Sequence, residues 1–432
     1  MRVEKLSELA IERRTLSSTL RLCCVPMPST HRVVTSLHVR LGSRFEPAPL
    51  GGISHFLEHM LHRGTESQPS AHELALAFES LGSELGAATY VDHTVLSASS
   101  PPENLPAVLK LLGEVVRVPV FKDLTIERGI VREEILESLN DEGDPIDPDE
   151  LALNAAFPDH ALGRPITGTL EALERFDVPT LRQFHEQRYH ADAMVLTVAG
   201  CVDADRVQQA SEVAFAGLRR GELPVSDVPA PLGGPRFRYV EDTGSQTHLR
   251  VGFRAPGEND PLEPATELAL RILDDGMSTR LYHQVCDERG LAYDVSAAYE
   301  AFADCGLFML AGEAAHTSSE KLLGSFLDVV RELRDNGPSE SELTKAQRRF
   351  AWQMQAMLDD PAELCAFIGL GELTGIARTP ADRLAALESV SPEQVRAALG
   401  RVFCAEGLLV ASVGKLNKAA RRALEKTALA FA

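Results

Sequence analysis

The chain has 432 residues, enough for two domains of about 200 residues each. Its 44% hydrophobic and 25% charged content are those of an ordinary globular protein, and a formal net charge of −20 argues against a nucleic-acid surface, which needs clustered positive charge. Seven scattered cysteines, an odd number, argue against a disulfide framework, and no run approaches the roughly 18 apolar residues that a membrane span requires.

In chain order, residues 20–25 and 33–41 read as paired strands that lead into the segment GGISHFLEHMLHRGT, residues 51–65. That segment places three of the chain's 13 histidines and a glutamate within residues 55–62. As a helix it has two opposed stripes. Ile53, Phe56, Leu57, Met60 and Leu61 form a core-facing surface, and His55, Glu58, His59 and His62 share the other side. Gly64 stands where a C-cap glycine belongs. Histidines at i and i+4 can both point at one zinc ion, so the stripe predicts a metal site that lacks its third ligand. His62 lies two turns from His55, about 10.5 Å along the axis, and reads as a polar-face or outer-shell residue.

Residues 71–81 and 105–116 read as helices, with a strand over 88–97 between them. A long helix is expected over 124–139, with Leu124, Ile130, Val131, Ile135 and Leu139 as its apolar stripe. Glu127 and Glu134, seven apart, lie at the edge of that stripe, whereas Glu133 and Glu137 point away. A carboxylate on the packing side of a helix is costly unless it meets a charge or a metal. Glu127 and Glu134 are therefore both preferred over Glu133 as the missing ligand. A buried strand follows over 194–200, and residues 221–235, rich in Pro and Gly, read as a linker.

The pattern then repeats. Strands at 248–253, 308–312 and 408–413 and helices at 266–273, 319–334 and 339–358 suggest an internal duplication without a second His-rich stripe. The expected division is a zinc-bearing domain over 1–220, the linker 221–235, and a homologous second domain over 236–432. His72, His93, His160, His185 and His190 stand apart and read as structural or exposed. A serine-nucleophile reading lacks a Gly-x-Ser-x-Gly elbow. The first ten residues carry no apolar secretory core, so the expected location is cytoplasmic.

His55-Phe-Leu-Glu-His59 followed by Glu127-Arg-Gly-Ile-Val-Arg-Glu-Glu134-Ile resembles the inverted zinc motif of the pitrilysin/insulinase peptidases. The mitochondrial-processing-peptidase-like branch fits the length best. Further resemblance lies in LGRPITGT (162–169), in residues 194–203, and in GMSTRL (276–281) followed by RGLAY (289–293). The resemblance implies two homologous α+β domains, each a mainly antiparallel sheet packed with helices, forming half of a clamshell chamber. It implies one zinc per chain held by His55, His59 and Glu134, with Glu58 as general base and Glu127 as an outer-shell carboxylate. The implied activity is that of a zinc metalloendopeptidase acting on enclosed short or unfolded peptides. The alternative is a non-catalytic family member serving as an assembly subunit.

Two positions depart from the family pattern. Tyr293 stands where a substrate-gripping tyrosine is expected, but Cys286 replaces the arginine that usually precedes it by seven residues. Gly86 replaces an asparagine expected to open the edge strand beside the site. A thiol cannot make the two-pronged contact of a guanidinium. The resemblance therefore implies a dimer, either with a sister subunit of the same family that supplies the arginine or with a second copy of the chain.

Overall fold

The computed structural model describes residues 9–431. They form two compact α+β units. The first takes the chain up to Ile135, then Pro165–Ser226 and Gln353–Ala381, and the second takes Leu136–Arg164, Asp227–Trp352 and the chain from Asp382 onward. One seam, between Ser226 and Asp227, falls inside the Pro/Gly-rich stretch 221–235.

The first unit is built on strands β1 (Glu12–Thr15), β2 (Arg21–Pro26), β3 (Val33–Val39), β4 (Gly86–Thr89), β5 (Thr94–Ser100) and β6 (Met194–Gly200), in the order β1-β2-β6-β3-β5-β4. Only β2 and β6 run parallel. β3 and β6 are central and buried along their whole length, which is why residues 194–200 read as a mostly apolar run, broken only by Thr197. Helix Pro361–Thr374 packs on these two strands. Its Gly369 lies so close that a Cβ would sit 2.3 Å from the His38 ring, and Arg32 pairs with Asp360 at 3.1 Å.

The second unit contains β7 (Arg236–Val240), β8 (Thr247–Ala255), β9 (Val295–Ala301), β10 (Gly306–Ala314) and β11 (Leu408–Val413), ordered β7-β11-β8-β10-β9 with β7 and β11 parallel. This repeats β2-β6-β3-β5-β4 strand for strand, in space and in chain order. Helix Pro148–Ala156 packs on β8 and β11. Arg250 grips Asp149 through two bonds of 2.6 and 2.8 Å, and Arg254 donates to the Ala156 carbonyl at 2.9 Å. Each sheet is thus covered by a helix that comes from the other half of the sequence, between the same two elements of the repeat.

Several expectations need correction. The strand expected over 88–97 is a hairpin, β4 and β5 joined by a turn in which the Tyr90 amide bonds the His93 carbonyl at 2.8 Å. Asp92, a turn former, interrupts the alternation there. The helix expected over 124–139 spans Leu124–Glu137, and Ile130, assigned to its apolar stripe, is 48% exposed. Its buried residues are Glu127, Val131 and Ile135, so the packing face is rotated toward the acids. Among the described residues no helix is long and apolar enough to cross a membrane.

Candidate metal centre

The His-rich helix spans Ile53–Leu61 and starts at Gly52, whose φ of +90° is left-handed. A Cβ there would lie 2.5 Å from the Thr167 carbonyl oxygen, so the motif at 162–169 meets this helix start through backbone contact. The Glu46 carboxylate accepts from the Gly52 and Ser54 amides at 2.7 and 2.8 Å, satisfying first-turn donors and placing negative charge at the positive helix end. Ile53, Phe56, Leu57, Met60 and Leu61 are fully buried and fix the helix rotation. That rotation turns His55 and His59 toward the helix Leu124–Glu137 and Glu58 toward β4.

His55 and His59 approach through their Nε2 atoms, 3.2 Å apart. Glu134 Oε1 stands 3.4 Å from His55 Nε2, and its Oε2 stands 3.7 Å from His59 Nε2. These three are the only group of three or more potential metal ligands found among the described residues. The other side of His59 is fixed as well, because Nδ1–H donates to Glu127 Oε1 at 2.8 Å. This leaves the Nε2 lone pair facing the common centre. Glu127, only 5% exposed, also accepts from the Arg63 guanidinium. Geometry thereby separates two acids that the periodicity left equivalent. Glu134 faces both imidazole Nε2 atoms and Glu127 backs one ring. Glu133 is exposed.

Electrostatics follow the same division. Burial, then the neighbouring His59, pushes the His55 imidazole down to about 4. Burial opposes charge on His59, but the bond to Glu127 and the surrounding carboxylates outweigh it and raise its pKa. Burial would raise Glu127, yet His59 and Arg63 hold it below the ordinary value. Glu58 does not join the ligand group. Burial raises its carboxyl, and its Oε2 accepts from Thr89 Oγ1 on β4 at 2.5 Å. Nothing in the linear pattern paired Thr89 with Glu58 or Arg63 with Glu127, since these contacts span 31 and 64 residues. His62 is outside the group and lines a separate pocket with Leu74, Phe78 and Leu85.

Tyr293 lies in the second unit, 96% exposed, at a groove shared with Gln246, Arg250, Asp294 and Glu313. Cys286 is half-buried in the turn His283–Asp287, and burial with nearby Asp294 raises its thiol pKa. Arg289 is engaged elsewhere, donating to Ser325 Oγ at 2.8 Å. At Gly86 a Cβ would stand 3.0 Å from Ser97 Oγ, so a larger residue on β4 needs that neighbour to yield. Of the isolated histidines, His185 and His190 bond the carbonyls of Val116 and Glu222 at 2.8 and 3.1 Å.

Residues 23–170 match the family description Insulinase (Peptidase family M16), and residues 175–350 match Peptidase M16 inactive domain. An uncharacterized zinc protease of Mycobacterium tuberculosis is 31% identical over 396 residues, 90% of each chain. The chain belongs to peptidase family M16. A second M16 relative, an uncharacterized zinc protease of Bacillus subtilis, is 27% identical over 398 residues, covering 91% of this chain and 96% of its own. Two solved structures share the fold of this M16 protein. A peptidase M16 inactive domain from Pseudomonas fluorescens has a TM-score of 0.86 at 23% identity, covering 94% of this chain and 98% of its own. A protease from Helicobacter pylori also reaches 0.86, at 17% identity and with 94% and 100% coverage. The His-rich helix, Glu127 and Glu134 fall within the insulinase match, and Cys286 and Tyr293 fall within the second.

Proposed function

We propose that this M16 protein is a zinc-dependent endopeptidase that cleaves short or unfolded peptides, with one zinc ion held by His55, His59 and Glu134. The spacing of the three donors carries the reading. Bonds of about 2.0–2.1 Å in tetrahedral geometry set zinc ligands about 3.3 Å apart. The two Nε2 atoms stand 3.2 Å apart, and the Glu134 carboxylate turns one oxygen to each, Oε1 at 3.4 Å from His55 and Oε2 at 3.7 Å from His59, spacings close to that value. Two nitrogens and one carboxylate are the donor set of a catalytic site that keeps one position open.

A zinc ion in this site supplies the Lewis acidity that lowers the pKa of water toward about 7. The chain's own residues do the remaining work. Glu58, next to His59 in sequence and raised by burial, accepts a proton as water attacks the peptide carbonyl and returns it to the leaving amine. Thr89 holds the Glu58 carboxylate through its hydroxyl, which donates to Oε2. Glu127 keeps the His59 ring in its tautomer and orientation.

Metal analysis paired with the Glu58→Gln variant tests this mechanism. About one zinc per chain is expected in both proteins, with cleavage of unfolded peptides lost in the variant, while His59→Ala loses the metal as well. Metal-free wild type, or a variant that cleaves as well as wild type, overturns the proposal.

Tyr293 is the candidate substrate-gripping residue of the second unit. The thiol at Cys286 supports a partnership with a sister subunit that brings the missing guanidinium. An isolated chain with full activity speaks against that heterodimer and leaves a homodimer or a self-sufficient chain. The length of 432 residues supports a place near the mitochondrial-processing-peptidase-like branch. The same departure at Cys286 favours a second reading, a non-catalytic assembly subunit. A zinc-loaded chain that cleaves nothing, alone or with its sister, is the result that reading requires.

A further inference from the structure

We infer that Arg63 is a positioning residue for the metal centre, gripping Glu127 so that Glu127 can aim His59. The inference rests on the zinc reading above and extends it by one residue beyond the outer-shell carboxylate. Arg63 lies two residues past the end of the His-rich helix, where its amide still bonds the Met60 carbonyl at 3.2 Å. The chain then turns sharply at Gly64, φ +120°, where a Cβ would meet the Gln68 carbonyl oxygen at 2.6 Å. Beyond the turn, Thr65 bridges to Pro119 and the Val120 amide bonds the Gly64 carbonyl at 3.1 Å. These contacts tie the end of one site helix to the segment just before the other. The Arg63 side chain, 16% exposed, is delivered there to the Glu127 carboxylate, 6% exposed.

Arg63 bonds Glu127 Oε2 through Nε and Nη2, while Oε1 receives the His59 Nδ1–H at 2.8 Å. One oxygen is thus clamped from the arginine side and the other is left to the imidazole. A buried carboxylate without a cation turns toward any donor or water within reach, whereas two N–H groups of the guanidinium on Oε2 hold that oxygen in place. With Oε2 anchored, Oε1 is held where it accepts from Nδ1 of His59, and Nε2 then points at His55 and Glu134. Arg63 never touches the metal position, and its effect passes through Glu127.

Zinc affinity of the full chain, measured by competition with a chromophoric chelator, tests the inference without any activity assay. Arg63→Met is expected to weaken binding about 10- to 100-fold, the range seen when outer-shell partners are removed. Arg63→Lys, a point charge without the fork, is expected to recover part of that loss. The deciding measurement is the double variant. If Arg63 acts through Glu127, adding Arg63→Met to Glu127→Gln weakens zinc binding no further. Should Arg63→Met leave the metal-free protein unfolded by circular dichroism, Arg63→Lys alone and with Glu127→Gln completes the same cycle. Wild-type affinity in Arg63→Met, or equal losses with and without the Glu127 carboxylate, overturns the inference. Wild type that binds no zinc at all overturns instead the zinc reading on which it stands.

Discussion

Replacing each of two adjacent glycines by alanine is predicted to have opposite effects on the helix that carries His55 and His59. Gly52 has φ +90°, and a Cβ there would stand 2.5 Å from the Thr167 carbonyl oxygen and 2.7 Å from Gly168 Cα. Gly51 has φ −55° and ψ 129°, ordinary values for any residue, and its nearest neighbour would be the Ala48 carbonyl oxygen at 3.9 Å. Gly52→Ala incurs about 1–2 kcal/mol for the left-handed backbone. The backbone shift needed to clear Thr167 adds about 1–3 kcal/mol. The sum is a loss of about 2–5 kcal/mol. Gly51→Ala fits without strain and restricts the unfolded chain, a gain of about 0.4–1 kcal/mol. Urea unfolding followed by circular dichroism on the full chain reads both changes, and metal content reads whether the helix start still aims the imidazoles. The expected order of stability is Gly51→Ala, then wild type, then Gly52→Ala well below, with zinc occupancy falling in the last. Equal shifts for the two variants, or a Gly52→Ala change within about 0.5 kcal/mol of wild type, refute the reasoning.

Two further outcomes concern stability away from the candidate metal site. Glu342 sits in a two-pronged bond to Arg280, 2.6 and 2.9 Å, which holds its carboxyl down to about 2 against the opposing effect of burial. A lowered carboxylate pKa stabilises the fold above the unfolded value of 4.5, and that contribution, of order 3 kcal/mol, is lost as pH falls toward 2. Glu342→Gln should flatten the acid side of the stability–pH curve between those values, and a curve parallel to wild type refutes the assignment. Gly369→Ala should lower the urea midpoint, with a loss of about 1–3 kcal/mol of stability, because its Cβ would meet the His38 ring at 2.3 Å and Thr197 Oγ1 at 3.0 Å. An unchanged midpoint would mean that helix Pro361–Thr374 is not seated on β3 and β6.

What the sequence alone determined is whatever depends on neighbours a few residues apart. The opposed stripes of the His-rich helix are a property of 3.6-residue periodicity, and the burial of Ile53, Phe56, Leu57, Met60 and Leu61 agrees with it. The strands Met194–Gly200 and Leu408–Val413 were legible because central strands are apolar on both faces. Periodicity also singled out Glu127 and Glu134, but it could not say which would face the imidazoles, since residues seven apart share one azimuth. That choice belongs to the tertiary structure, which sets the height of one helix against the other: 75 residues separate His59 from Glu134. The same limit hid the exposed Ile130, whose helix turns its acids inward because Arg63 and the two imidazoles are there to receive them. It also hid the two exchanged helices, because an apolar helix face carries no label for the sheet that will cover it, and only the assembled chain decides which sheet that is.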